Sequence, residues 1–350
     1  MNHDFTSQRS GHSLWSRRRL LQTAGIGSVL ASMGSLVTGC SKDEKLAELD
    51  PARPLKLAWN ANAVCLAAAP VAIERGIFAK HGLPNVELIN FSGSTDQMLE
   101  ILATGKADAG LGMIHRWLKP LESGFDVKLV GSSHGGCVRL VGAEKAGVTT
   151  LKDLRGKTIA VSDLNAPGKN FFAVLLKKNG IDPEKEVSWR QFPSDMLGLA
   201  VEKGEAHAIA DGDPNLALIQ RRTPGLVDLA TNLSDAYAAK TCCVVGVGTK
   251  LLEADRARVT ALTRAIVEAS DFVADNPNEA ARLYHPHASK SSVEDLRAVL
   301  GTLTHRSHPV GRALQQEVEF YARDFQLVGV LKPDTDPARF AAHVTVDVLS

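Results

Sequence analysis

Short apolar runs alternating with helix-period segments constrain this chain more than any other feature. Runs at 55–59, 86–91, 107–111 and 127–130 read as strands, and 69–75 and 95–103 between them read as helices. This alternation builds a parallel-rich sheet with helices on its faces. A second series starts near Val138. Its strands fall at 158–161, 187–191, 208–210 and 241–247, and its helices at 151–154, 171–178, 196–203 and 214–221. Asn179-Gly180 is a helix-ending pair, and Pro214 suits a first helical turn. From Leu251 onward the pattern is helical, at 256–274, 279–283, 293–300 and 313–325. The alternation predicts an α/β chain of two lobes, with crossings near Gly135 and Thr241. Residues 55–135 with 245–350 then form one lobe, and 136–244 the other. Open α/β sheets bind ligands beyond the carboxyl ends of their strands, so two facing lobes define a hinged cleft.

Of 350 residues, 44% are hydrophobic and 23% charged. Such a chain supports a packed core of about two domains and is neither disordered nor fibrous. Its 40 basic and 39 acidic residues lack the basic excess of a general nucleic-acid binder. The balance is uneven along the chain. Before residue 40, Arg9, Arg17, Arg18 and Arg19 face only Asp4. Arg17-Arg18-Arg19 precedes a mildly apolar stretch, 20–37, which is too polar for a convincing membrane span. Residues 1–39 therefore read as an export signal, and the run at Arg17 and Arg18 resembles a twin-arginine signal. Val37-Thr38-Gly39-Cys40 resembles a bacterial lipobox, with Cys40 as the lipidated residue. Residues 40–54 read as a solvated tether. The expected location is the periplasmic or extracytoplasmic face of a bacterial membrane.

Several fragments in order carry a family resemblance: PVAIERGIF at 70–78, GKADAG at 105–110, LKDLRGKTIAV at 151–161 and GIDP at 180–183. The chain resembles ABC-transporter solute-binding proteins of the nitrate, sulfonate and taurine type, whose domain is shared with thiamine-pyrimidine-synthase-like proteins. The resemblance spans roughly residues 53–330. It implies a two-lobed, type II-like periplasmic-binding-protein fold with a ligand cleft between lobes, without catalysis and without a cofactor. It also implies a small-molecule solute, an ABC permease with its ATPase, and no nucleic acid as partner. A thiamine-pyrimidine-precursor binder or synthase-like protein, and a periplasmic ligand sensor, are the alternatives. The export signal argues against the synthase, and no G-x-S-x-G, P-loop or H-E-x-x-H motif stands out.

The loops after the expected strands supply candidate ligand-binding residues. Asn60 and Asn62 offer amides, or cap the next helix, and Cys65 closes that loop. Ser94 and Thr95 stand at a helix start with exposed backbone N–H groups. His115 offers an imidazole. Gly136 and Cys137 lie at the first crossing, Thr241 and Cys242 at the second. In the second lobe, Asn165, Gly168 and Lys169 join a strand to a helix; the family's equivalent loop contacts ligand, and Lys169 can neutralise an anion. Asp211 and Asp213 would repel a bare anion and suit a cation, or cap a helix. The amide and basic groups favour a small oxyanion such as nitrate, bicarbonate or a sulfonate. The acidic pair and the cysteines leave a cation open. Cys65, Cys137, Cys242 and Cys243 are expected as buried free thiols first, then as a disulfide, then as a soft-metal site with His115 or His134. No C-x-x-C spacing supports the last reading.

Overall fold

The computed structural model describes residues 53–350, apart from 92–93 and 289–290. The signal, with Arg17 and Arg18, and the lipobox Cys40 lie outside the described residues.

Two five-stranded sheets form the frame. The first contains β1 (Leu55–Trp59), β2 (Val86–Asn90), β3 (Ala109–Met113) and β4 (Val127–His134). The second contains β5 (Val138–Ala143), β6 (Lys157–Val161), β7 (Val187–Gln191), β8 (Ala208–Gly212) and β9 (Leu226–Thr231). The chain then returns to the first sheet as β10 (Cys243–Gly248). The orders are β2-β1-β3-β10-β4 and β7-β6-β8-β5-β9. In each sheet a parallel trio is followed by one strand of opposite direction, β10 or β5, which pairs antiparallel on its far side with β4 or β9. The return at Cys243 comes two residues before the boundary expected from sequence. Strand β3 begins two residues later than expected, and β4 runs four residues longer. β9 was not expected: its Val227, Asp228 and Leu229 give no long apolar run, and pairing with β5 decides it.

Local sequence explains much of this. β1 and β3 are buried almost throughout, so they are apolar without alternation, as parallel central strands are. The helix Pro167–Lys178 starts four residues before the expected point, because Pro167 occupies a first-turn position where its missing N–H costs nothing. Gly135 is required at the first crossing. A Cβ there would meet the Lys240 carbonyl oxygen at 2.6 Å, on the second crossing strand.

The helix Gly311–Leu327 packs on β4 and on the helix Pro167–Lys178, so it touches both lobes. Its Asp324 is buried, 2.5 Å from Lys178 Nζ, and accepts a hydrogen bond from the Tyr237 hydroxyl at 2.5 Å. Its Glu317 pairs with Lys240 at 3.0 Å and accepts from the Thr241 backbone N–H at 3.2 Å. One helix thus braces the second crossing and the second lobe. Asp324→Ala should lower unfolding free energy by about 2 kcal/mol in urea titration, since it strands a half-buried ammonium. Asp324→Asn, which still accepts from Tyr237, should cost less.

Candidate functional site

A cleft of about 860 Å³ opens where the carboxyl ends of strands from both sheets face each other. The first lobe contributes the segments after β1, β2 and β3, with Asn60, Ser94 and Arg116 on the wall. The second contributes the segments after β6, β7 and β8, with Lys169, Ser194 and Asp211. This is the location that the strand direction dictates.

Of the residues expected from sequence, Asn60, Asn62, Cys65, Ser94, Cys137, Gly168, Lys169, Asp211 and Asp213 line the cleft. The others stand off its wall. Thr95 lies behind it and accepts a hydrogen bond from Arg116 Nη1 at 2.8 Å. Asn165 is exposed in a turn made by Asp163. Gly136, at φ +79°, packs against Leu233. Thr241 is fully buried, its hydroxyl 3.3 Å from the His134 carbonyl. Cys242 lies beneath the cleft floor.

His115 is the main correction. It sits 5% exposed among the rings of Phe171, Tyr321 and Phe325, at 4.7–5.6 Å between centroids, and away from the cleft wall. The aromatic cage desolvates the imidazolium and pushes its pKa down to about 3, although the nearby Cys137 pulls the other way. The unfolded chain takes up this proton near pH 6.5. The contribution to stability is therefore complete above pH 6.5 and is lost progressively as pH falls towards 3. At pH 5 the loss is about 2 kcal/mol relative to pH 8. His115→Phe should show a correspondingly flatter acid limb in chemical denaturation.

The adjacent residue, Arg116, is on the cleft lining where His115 is not. Arg116 reaches the cleft, stacks 5.8 Å from the Phe91 ring centroid, and has no paired carboxylate among the described residues. Sequence reading chose His115 over its guanidinium, because the opposite surroundings of neighbouring side chains in the turn 114–116 are not written in the sequence. Lys169 is more engaged: its Nζ is 3.7 Å from Glu184 and 5.5 Å from the Trp189 ring.

The acidic pair is internally satisfied. Arg139 Nε donates to both Asp213 oxygens at 2.9 Å, and burial pushes that carboxyl up to about 6 against the pull of Arg139. Asp211 accepts from Ser162 at 2.8 Å and Asn215 at 2.7 Å, and burial raises it too. Arg139 offsets the charge of Asp213, and burial favours the neutral form of Asp211, so the pair repels an anion less than two free carboxylates. Arg139, Ser162 and Asn215 were not foreseen, since strand and helix positions pair across the fold.

All four cysteines of the described chain are free and buried. They come together at the cleft floor, with Cys65, Cys137 and Cys243 on its lining.

Residues 66–280 match the family described as NMT1/THI5 like, and the chain belongs to that family. No curated protein matches it by sequence. Similar solved structures include the alkanesulfonate-binding protein SsuA from Xanthomonas axonopodis pv. citri bound to MOPS. It is 16% identical with a TM-score of 0.69, over 84% of this chain and 98% of that one. The periplasmic nitrate-binding protein NrtA from Synechocystis PCC 6803 is 14% identical with a TM-score of 0.69, over 83% and 86%. The aliphatic sulphonate binding protein SsuA from Escherichia coli is 15% identical with a TM-score of 0.67, over 82% and 91%. The fold is the two-lobed α/β fold of periplasmic binding proteins.

Proposed function

We propose that this chain is the extracytoplasmic solute-binding component of an ABC importer. It captures one small oxyanion in the cleft and passes it to a permease and its ATPase, without catalysing a reaction. One observation carries the choice of an anion: Arg116 enters the cleft with no carboxylate partner among the described residues, while Asp211 and Asp213 are already held by donors. Amides and hydroxyls of Asn60, Asn62 and Ser94 on the first lobe, and Lys169 on the second, complete a wall suited to oxygen acceptors. Similar folds include proteins described as binding nitrate and alkanesulfonates, which are anions. Ligand contacts shared between lobes favour a closed state, because closure needs differential affinity.

A thermal-shift panel of nitrate, bicarbonate and short sulfonates tests the reading. A ligand at a hundred times its Kd adds about 2.7 kcal/mol, a shift of several degrees. A flat panel at millimolar concentrations overturns the anion assignment.

Export through the arginine signal and anchoring by lipid on Cys40 belong to the same proposal. More than one acyl chain gives stable anchoring. Cys40→Ala should move the protein from the membrane to the soluble periplasmic fraction. Retention in the membrane fraction contradicts the anchor.

A further inference from the structure

The cleft floor holds a group of side chains that anion capture does not use. Cys137, Cys242 and Cys243 place their sulfurs within 4.8 Å of one another, and so do the donor atoms of Cys65, His134 and Cys243. Cys243 belongs to both sets. Cys137 and Cys242, on the two crossing strands, have sulfurs 2.7 Å apart, and Cys242 and Cys243 have theirs 3.9 Å apart. Neighbouring residues of a regular strand point to opposite faces. Here Cys242 precedes β10, and the pairing with β4 shifts register between Cys243 and Val244, so both sulfurs reach the same space.

His134 supplies the second, independent sign of a ligand. It is fully buried, and its Nε2 has no hydrogen-bond partner. Its Nδ1 lies 3.3 Å from the Gly135 carbonyl oxygen. An Nδ1–H donating there leaves a lone pair on Nε2, the arrangement that second-shell hydrogen bonds impose on metal-binding imidazoles. A buried, unpaired imidazole nitrogen is otherwise a cost without compensation.

We propose that Cys65, Cys137, Cys242 and Cys243, assisted by His134, form a binding site for one thiophilic d10 cation of the Zn(II) or Cu(I) kind at the floor of the cleft. Thiolate and imidazole donors select these ions over hard cations. A Zn–S distance of about 2.3 Å corresponds to sulfurs about 3.8 Å apart in a tetrahedron. The Cys242–Cys243 separation already fits, and Cys137 needs to move by roughly 1 Å. The backbone around the sulfurs is fixed. The Cys137 N–H donates to Asn232 Oδ1 at 2.8 Å, and the Cys242 N–H to the His134 carbonyl at 2.7 Å. Three of the four sulfurs line the cleft, which supplies the entry path. Arg116 shares that lining and offsets the negative charge of a metal–thiolate group. Because Cys242 and Cys243 sit at one crossing and His134 and Cys137 at the other, the ion ties the two crossings together.

The test uses the full chain, reduced and stripped with a chelator under anaerobic conditions. It is titrated separately with Zn(II) and with Cu(I), each against a chromophoric competitor. Co(II) then serves as an optical probe, because its thiolate charge-transfer absorption grows with the number of sulfur ligands. We expect one ion per chain for Zn(II) or Cu(I), thiolate absorption with Co(II), and protection of the cysteines from alkylation. Cys137→Ser and Cys243→Ser should each weaken binding at least 100-fold. Cys65→Ser provides a second variant if either of these fails to fold, with circular dichroism as the control. Absence of stoichiometric binding for both ions overturns the proposal, as does unchanged affinity in folded variants. The metal is titrated without any anion, so this outcome is separate from that of the anion panel.

Discussion

Arg116→Gln is expected to weaken anion capture at least 100-fold, about 2.7 kcal/mol, while leaving thermal stability within a degree or two. The asymmetry follows from its surroundings. The guanidinium makes one protein hydrogen bond, to Thr95, and faces the cleft with no carboxylate partner among the described residues. Its removal therefore strands little in the unliganded protein and removes the strongest donor from the liganded one. Arg116→Lys keeps the charge but loses the planar fork, so it should recover only part of the affinity. Titration calorimetry with the most stabilising anion of the panel measures both. Equal affinity in wild type and Arg116→Gln removes Arg116 from the site.

Trp117→Ala is expected to have the largest effect on stability, about 3–5 kcal/mol, read from urea or guanidinium midpoints. The indole is fully buried beneath the first sheet. Two glycines on adjacent strands make room for it. A Cβ at Gly246 would lie 2.6 Å from the ring, and one at Gly110 would lie 3.1 Å away. Gly246→Ala should therefore cost about 1–3 kcal/mol by overpacking. The double variant should cost less than the sum, since removing the ring relieves the clash. Strict additivity contradicts this account of the two glycines.

The fold was legible because each lobe repeats a local grammar. Segments 55–59, 95–103, 151–154, 187–191 and 293–300 carry strong apolar periodicity or caps, and they fold at those bounds. β9 was not legible, because its pattern is half polar and its neighbour β5 defines it. The helix Pro337–Val344 was also missed; its Asp336 cap and Pro337 start were the available signals. Strand ends pointed to the correct loops, since chain direction fixes where a parallel sheet opens. Which side chain in a loop faces the cleft was not legible. His115 and Arg116 are neighbours, yet one enters an aromatic cage and the other the cleft. The thiol group was legible in part: the four cysteines and His134 stood as a soft-metal reading ranked last, without a C-x-x-C spacing to support it. Its members are separated by up to 178 positions between Cys65 and Cys243 and converge only through the two crossings.

The central claim is capture of an anion by closure of two lobes around the cleft. Small-angle scattering of the full chain, titrated with the most stabilising anion, tests it most directly. The account predicts a saturable decrease in radius of gyration at one anion per chain, abolished by Arg116→Gln. Binding at that stoichiometry with no change in radius would contradict closure, and no binding of any anion would contradict the function itself.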